Sequence, residues 1–153
     1  MFSSRQELCR QGGAQLDLRP EEWRRRTFHS AGEVPGLLDD VVATLEALGY
    51  PRKDQFAVRL AVEEALVNAV KHGNRGDPAK EARLRYHAGS EFVLLEVEDE
   101  GEGFDPAAVP DPLAPENLER PSGRGLFLIR KYMTWVEYSE RGNRVIMCKH
   151  RGE

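Results

Sequence analysis

Between Pro35 and Gly49 the apolar residues Leu37, Leu38, Val41, Val42, Leu45 and Leu48 recur at helical spacing, and Gly49 supplies a stop. A second helical pattern follows YPRKD, with Asp54 placed to cap it, and runs from about Gln55 to His72. The turn-rich GNRGDP at 73–78 ends it. The period then changes. ARLRYH at 82–87 alternates Ala82, Leu84 and Tyr86 with Arg83, Arg85 and His87, which predicts a strand with one wet face. FVLLEVED at 92–99 is more uniformly apolar and suits a central strand, with AGSE as a hairpin-length link between the two. GLFLIRKYM at 125–133 is helical again, and WVEYSE and RVIMCKH, joined by RGN, form a closing hairpin. Ahead of all of these, WRRRTFHS at 23–30 reads as an edge strand with its basic residues toward water.

The order strand, helix, helix, strand, strand, loop, helix, strand, strand predicts an α+β fold: a mostly antiparallel sheet with helices gathered on one face. The loop, 104–122, holds Pro106, Pro110, Pro112, Pro115 and Pro121 with no sustained period, a length that marks a functional or an unstructured segment. Residues 1–19 are polar, contain Gly12–Gly13 and read as a loose N-terminal extension, leaving 20–150 as the domain.

Composition narrows the function without naming it. A chain of 153 residues is one domain with room for a real core. With 40% hydrophobic and 31% charged residues and a net charge of −4, nothing suggests the basic stripe of a nucleic-acid binder or attraction to an anionic membrane. No apolar run approaches the roughly 20 residues of a membrane span, and MFSSRQELCRQGG lacks the apolar core of a signal peptide. Cys9 and Cys148 lie far apart without metal-ligand spacing and read as free thiols, which fits a reducing cytoplasm.

Chemistry first shows on the second helix. In FAVRLAVEEALVNAVKHG, Glu64, Asn68 and His72 form a narrow polar stripe beside Ala57, Ala61 and Ala65, while Val58, Val62, Leu66, Ala69 and Val70 take the opposite arc. Small side chains leave room for something to lie close to the backbone. Asn68 offers an oxygen to a hard cation such as Mg²⁺, and Glu64 a base for a hydroxyl or water attacking phosphate. An ordinary i,i+4 pair on a solvated face explains the same two residues. His72 reads more simply as a packing histidine than as a catalytic one.

Two glycine clusters follow. VEDEGEGFDP at 97–106 fails as a calcium loop, because counting from Asp99 puts Gly101 and Gly103 at ligand positions and Pro110 where a Glu is required. A solvated acidic turn remains open. So does a ligand turn, in which glycines let backbone approach a flat molecule and Asp99 accepts a hydrogen bond from an exocyclic amine such as adenine's. PSGRGLFLIRKY at 121–132 sets Gly123 and Gly125 immediately before a helix, an anion-site arrangement or simply a Ser122-capped helix start. Leu128 stands where a dinucleotide fingerprint needs its third glycine, and no Walker A loop is present.

Together and in this order the motifs resemble those of the GHKL ATPase superfamily, which includes gyrase B, MutL and histidine-kinase catalytic domains. Glu64-x-x-x-Asn68 matches its N box, Asp99-x-Gly101-x-Gly103 its G1 box and Gly123-x-Gly125-Leu126 its G2 box. The phrasing AVEEALVNAVKHGN and the helix start GLFLIRKYM are most similar to bacterial anti-sigma-factor serine kinases of the SpoIIAB and RsbW type. The resemblance implies the Bergerat fold, a two-layer α/β sandwich, with residues 104–122 as the ATP lid. It implies Glu64 as general base, Asn68 as Mg²⁺ ligand, Asp99 as adenine reader, Gly101 and Gly103 shaping the adenine turn, and Gly123, Gly125 and Leu126 at the phosphates. Arg124 stands inside the G2 box where related kinases often carry an apolar residue, and it either reaches a phosphate or faces water.

The function so implied is a cytoplasmic, homodimeric ATP-dependent serine/threonine kinase that phosphorylates a STAS-domain anti-anti-sigma partner and sequesters a sigma factor. The alternative is a non-enzymatic, ATP-gated module that holds a sigma factor or another regulator. A detached histidine-kinase catalytic domain ranks lower, since no dimerisation helix with a phosphoacceptor histidine precedes the N box. So does a hydrolase of the gyrase or MutL kind, which needs a transducer domain.

Overall fold

The computed structural model of the chain describes residues 23–101 and 121–153, with backbone only at 121–126. The expected N-terminal extension, Cys9, most of the 104–122 loop, and Glu102, Gly103 and Asp105 lie outside the described residues. Five strands form one sheet: β1 (Arg24–Phe28), β2 (Ala82–Ala88), β3 (Phe92–Glu98), β4 (Trp135–Tyr138) and β5 (Arg144–His150). Their spatial order is β1-β2-β3-β5-β4, and every neighbouring pair is antiparallel. The expected α+β architecture is thus observed, with α1 (Val34–Ala47), α2 (Arg52–Asn68) and α3 (Pro121–Tyr132) as the helical layer.

Period-2 alternation explains the core. Ala82, Leu84 and Tyr86 of β2, Val93, Leu95 and Val97 of β3, and Val145 and Met147 of β5 are buried on one side of the sheet. They join Leu37, Leu38, Val41 and Leu45 of α1 and Val58, Val62 and Leu66 of α2 in a single cluster. Each such aliphatic side chain removed from water contributes about 1.5–3 kcal/mol, so this cluster is the main source of stability. Gly49 at φ 79° ends the first helical segment as its sequence position suggests.

The opposite face carries no helix among the described residues, yet β3 is apolar there too. Leu94 and Cys148 are buried beneath Trp23, Phe92, Trp135 and Ile146. Beside them Glu96, 6% exposed, receives a two-pronged hydrogen bond from Arg85, at 2.6 Å to Oε1 and 3.0 Å to Oε2. The Arg85 guanidinium also lies 4.8 Å over the Trp23 ring. The near-continuous apolar run of the central strand therefore serves two different clusters.

Two boundaries differ from expectation. Asp54 does not cap α2, which begins at Arg52 with Pro51 in the cap position. Asp54 is fully buried instead, 3.5 Å from Lys149 Nζ, and accepts a hydrogen bond from Gly152 N at 2.7 Å. It ties the start of α2 to the end of the chain. The regular helix also ends at Asn68 rather than His72, and residues Ala69–Gly73 form a π-helical turn.

Candidate nucleotide site

α2 places Glu64 and Asn68 one turn apart, both half-buried, as the helical spacing predicts. Ala57, Ala61 and Ala65 are themselves buried, and Ala61 and Ala65 belong to the core cluster. Their small side chains admit packed protein, a correction to the reading of an open alanine floor. His72 falls in the π turn and is exposed, so it is not a packing histidine.

The π turn carries the more important geometry. Its wider winding shows in the bond from Asn74 N to Ala69 O at 2.8 Å, five residues back. The extra residue brings Gly73 and Asn74 against the turn that follows β3. A Cβ on Gly73 would fall within 2.6 Å of both carboxylate oxygens of Asp99. A Cβ on Gly101 would meet the Gly73 carbonyl carbon at 2.6 Å and Asp99 Oδ1 at 2.9 Å. The two glycines therefore let two backbone segments and one carboxylate share a space that no other residue type leaves open.

Asp99 is held from several sides. Gly101 N donates to its Oδ1 at 2.8 Å. Its backbone is clamped by Asn143: Asp99 N donates to Asn143 O at 3.0 Å, and Asn143 Nδ2 donates to Asp99 O at 3.2 Å. Burial, the largest influence, raises the carboxyl above its ordinary pKa, opposed by the Gly101 N–H, with Glu98 raising it further and Arg141 and Arg83 pulling it down. A buried carboxylate in that condition is stabilised by any further hydrogen-bond donor that arrives.

Two other acids of the cluster, Glu98 and Glu100, are engaged by protein groups. Glu98 accepts from Arg83 Nη2 at 2.9 Å, and the Glu100 carboxylate accepts from Glu81 N. Asn74, read from sequence only as part of a turn, is 1% exposed, and its Oδ1 accepts from Glu100 N at 2.8 Å.

α3 completes the arrangement. It begins at Pro121, so Gly123 and Gly125 lie within its first turns instead of before it. The Phe56 and Tyr132 rings meet edge-on, 6.1 Å between centroids, joining the start of α2 to the end of α3. These two helices make the most extensive helix–helix packing among the described residues. The end of α2 and the turn after β3 meet through Gly73 and Asn74 on one side and Asp99 to Gly101 on the other. Side chains at Arg124 and Leu126, like Gly103, lie outside the described residues.

Residues 30–149 match the model of a protein family described as the histidine kinase-like ATPase domain. The chain belongs to that family. Among curated members, this histidine kinase-like ATPase domain is 34% identical over 103 residues to the serine-protein kinase RsbW of Listeria innocua, spanning 63% of this chain and 66% of that protein. It is 33% identical over 103 residues to the RsbW of Listeria monocytogenes, with the same coverage. The match to the RsbW of Staphylococcus epidermidis is 34% over 100 residues, 60% of this chain and 63% of that protein. The chain thus spans slightly less than two thirds of the length of these relatives. Among the described residues of this histidine kinase-like ATPase domain, no helix is long and apolar enough to cross a membrane.

A histidine kinase-like ATPase domain implies a bound nucleotide, and the described residues offer a group that would hold one. Asp99 supplies a buried acceptor packed against the backbone of Gly73 and Gly101. No group of three or more His, Cys, Asp or Glu able to hold a metal exists among the described residues. Asn68 would offer a cation one amide oxygen, and Mg²⁺ commonly rests on few protein oxygens together with phosphates and water.

Proposed function

We propose that the chain is an ATP-dependent serine/threonine protein kinase that acts as a partner-switching regulator of the anti-sigma type. Its substrate is a serine or threonine on a STAS-domain anti-anti-sigma protein, its second partner a sigma factor, and its working form a homodimer. The observation that carries this reading is the close approach of Gly73 and Gly101 around the buried Asp99 carboxylate, on a chain similar to serine-protein kinases along most of its domain.

In this reading ATP supplies the transferable phosphoryl group, with Mg²⁺ offsetting the charge of its oxygens. Asp99 accepts a hydrogen bond from the adenine amine, with Gly101 and Gly103 shaping the turn around the base. Asn68 offers its amide oxygen to the cation. Gly123, Arg124, Gly125 and Leu126 face the phosphates at the start of α3, and residues 104–122 act as the lid. Glu64, one turn before Asn68, takes the proton from the acceptor hydroxyl.

A pull-down from cell extract with and without ATP, followed by mass spectrometry of the captured proteins, tests it. Stoichiometric phosphoserine or phosphothreonine on a captured STAS protein is expected. ATP-dependent capture without any phosphosite would mean a binding module that only holds its partner. With the captured protein as substrate, Glu64→Ala should slow transfer by about 10²-fold or more, the usual cost of losing a general base, while ATP still binds. Unchanged transfer removes Glu64 from the role of base.

A further inference from the structure

Asn74 lies at the meeting point of the two motifs and makes no contact that the proposed chemistry already uses. Its backbone is fixed on both sides. Asn74 N donates to Ala69 O at 2.8 Å, and Asn74 O accepts from Asp77 N at 3.0 Å across a turn whose central residues Arg75 and Gly76 have φ 53° and 72°. With the main chain so held, the side chain has little freedom. Its Oδ1 accepts the Glu100 N–H at 2.8 Å, while its Nδ2 is buried without a hydrogen-bond partner among the described residues. Leaving that donor unpaired is costly, which argues that the single bond made by Oδ1 is what the residue is kept in place to make.

That bond acts on the residue next to Asp99. Glu100 N is fixed by Asn74, the Glu100 carboxylate is fixed on Glu81 N, and Asp99 N and O are fixed by Asn143. Three of these four ties come from the sheet side of the turn. Among the described residues, Asn74 is the one whose hydrogen bond ties it to the end of the helix that carries Glu64 and Asn68. Removing the bond would leave the turn anchored to the sheet but free to drift from Gly73, where a fraction of an ångström decides whether the carboxylate and the backbone fit together.

We propose that Asn74 is a positioning residue for base recognition: by holding Glu100 N it fixes the Asp99 carboxylate over Gly73 at the distance that reads an exocyclic amine. The proposal rests on the reading of Asp99 as the adenine acceptor. It adds that the helix end sets nucleotide selectivity through a residue that never touches the nucleotide.

The experiment compares ATP with inosine triphosphate, which carries a carbonyl where ATP carries the amine, by calorimetric binding to the full chain. The wild type is expected to prefer ATP by about tenfold or more, the range for a hydrogen bond to a charged acceptor. Asn74→Ala and the volume-preserving Asn74→Leu should lose most of that preference, mainly by weakening ATP. Val41→Ala on α1 is the control for general destabilisation and should lower the melting temperature while leaving the preference intact. If both Asn74 variants weaken the two nucleotides equally, Asn74 is merely structural and the proposal fails. A wild type with no preference overturns the adenine reading itself. Amide hydrogen exchange on the unliganded wild type needs no variant: Glu100 N–H should be protected like the amides of β3, and exchange at open-loop rates overturns the proposal.

Discussion

The Asp99 carboxylate lies against the Cα of Gly73, so close that a single added methyl group at residue 73 would occupy the position of the carboxylate oxygens. Gly73→Ala should therefore move Asp99 and damage nucleotide binding far more than folding. Because the obstructed group is a side chain that can swing away, the melting temperature should change little. ATP affinity, measured by calorimetry, should fall about tenfold or more, the size of a lost charged hydrogen bond.

Gly101→Ala meets backbone instead. Its Cβ would press on the Gly73 carbonyl, which no rotamer change relieves. Overpacking of this kind costs about 1–3 kcal/mol, so this variant should lose stability as well as ATP affinity, by denaturant titration and calorimetry respectively. Equal behaviour of the two glycine variants would contradict the distinction.

Asp99→Asn separates charge from shape. Burial raises the folded-state pKa of Asp99, so the stability linked to its protonation is present below the unfolded pKa and lost as pH rises through the folded one. At neutral pH the unliganded protein thus carries a desolvated charge that the asparagine variant lacks. Asp99→Asn should melt at the same temperature or higher near pH 7, with the advantage shrinking on acidification. ATP affinity of the wild type should fall on acidification, because the protonated carboxyl no longer offers the same acceptor. Melting curves and calorimetry across pH 4–8 check both signs.

Asp54 and Lys149 form a buried pair whose halves should not be equivalent to the whole. Lys149 Nζ also donates to His150 O at 3.2 Å, while Asp54 accepts from Gly152 N. Asp54→Ala or Lys149→Met alone leaves a charge without its partner and should cost about 3–5 kcal/mol. The double variant should cost less than the sum, by denaturant unfolding of all four proteins. Strict additivity would show that the pair is not coupled.

Much of this was readable in the chain because it depends on local period. The alternation of Ala82, Leu84 and Tyr86 with Arg83, Arg85 and His87 is reproduced side for side in β2, and Glu64 and Asn68 do share a helix face. The order of strands and helices followed from the same kind of pattern. What stayed hidden is long-range. Asp54 looks like a helix cap because caps are judged from neighbours, whereas its partners Lys149 and Gly152 come from the far end of the chain. Asn143, in a hairpin link, gives no sign that its side chain and backbone hold Asp99. Asn74 and the π turn escape for another reason: a wheel drawn at a constant angle has no place for an added residue, so it carried His72 onto a stripe that ends at Asn68.

That added residue between Asn68 and Asn74 has a consequence for anyone who would engineer this segment. Removing one position from 69–73 would let α2 continue in regular α-helical winding, a locally better helix by any propensity measure. It would also rotate the following residues by roughly a quarter turn about the helix axis and draw the end back by ~1.5 Å. Glycine would then no longer stand opposite the carboxylate. The segment is in this sense a ruler with one mark too many for its own comfort, and the distance it measures is the one from Glu64 and Asn68 to the Asp99 carboxylate.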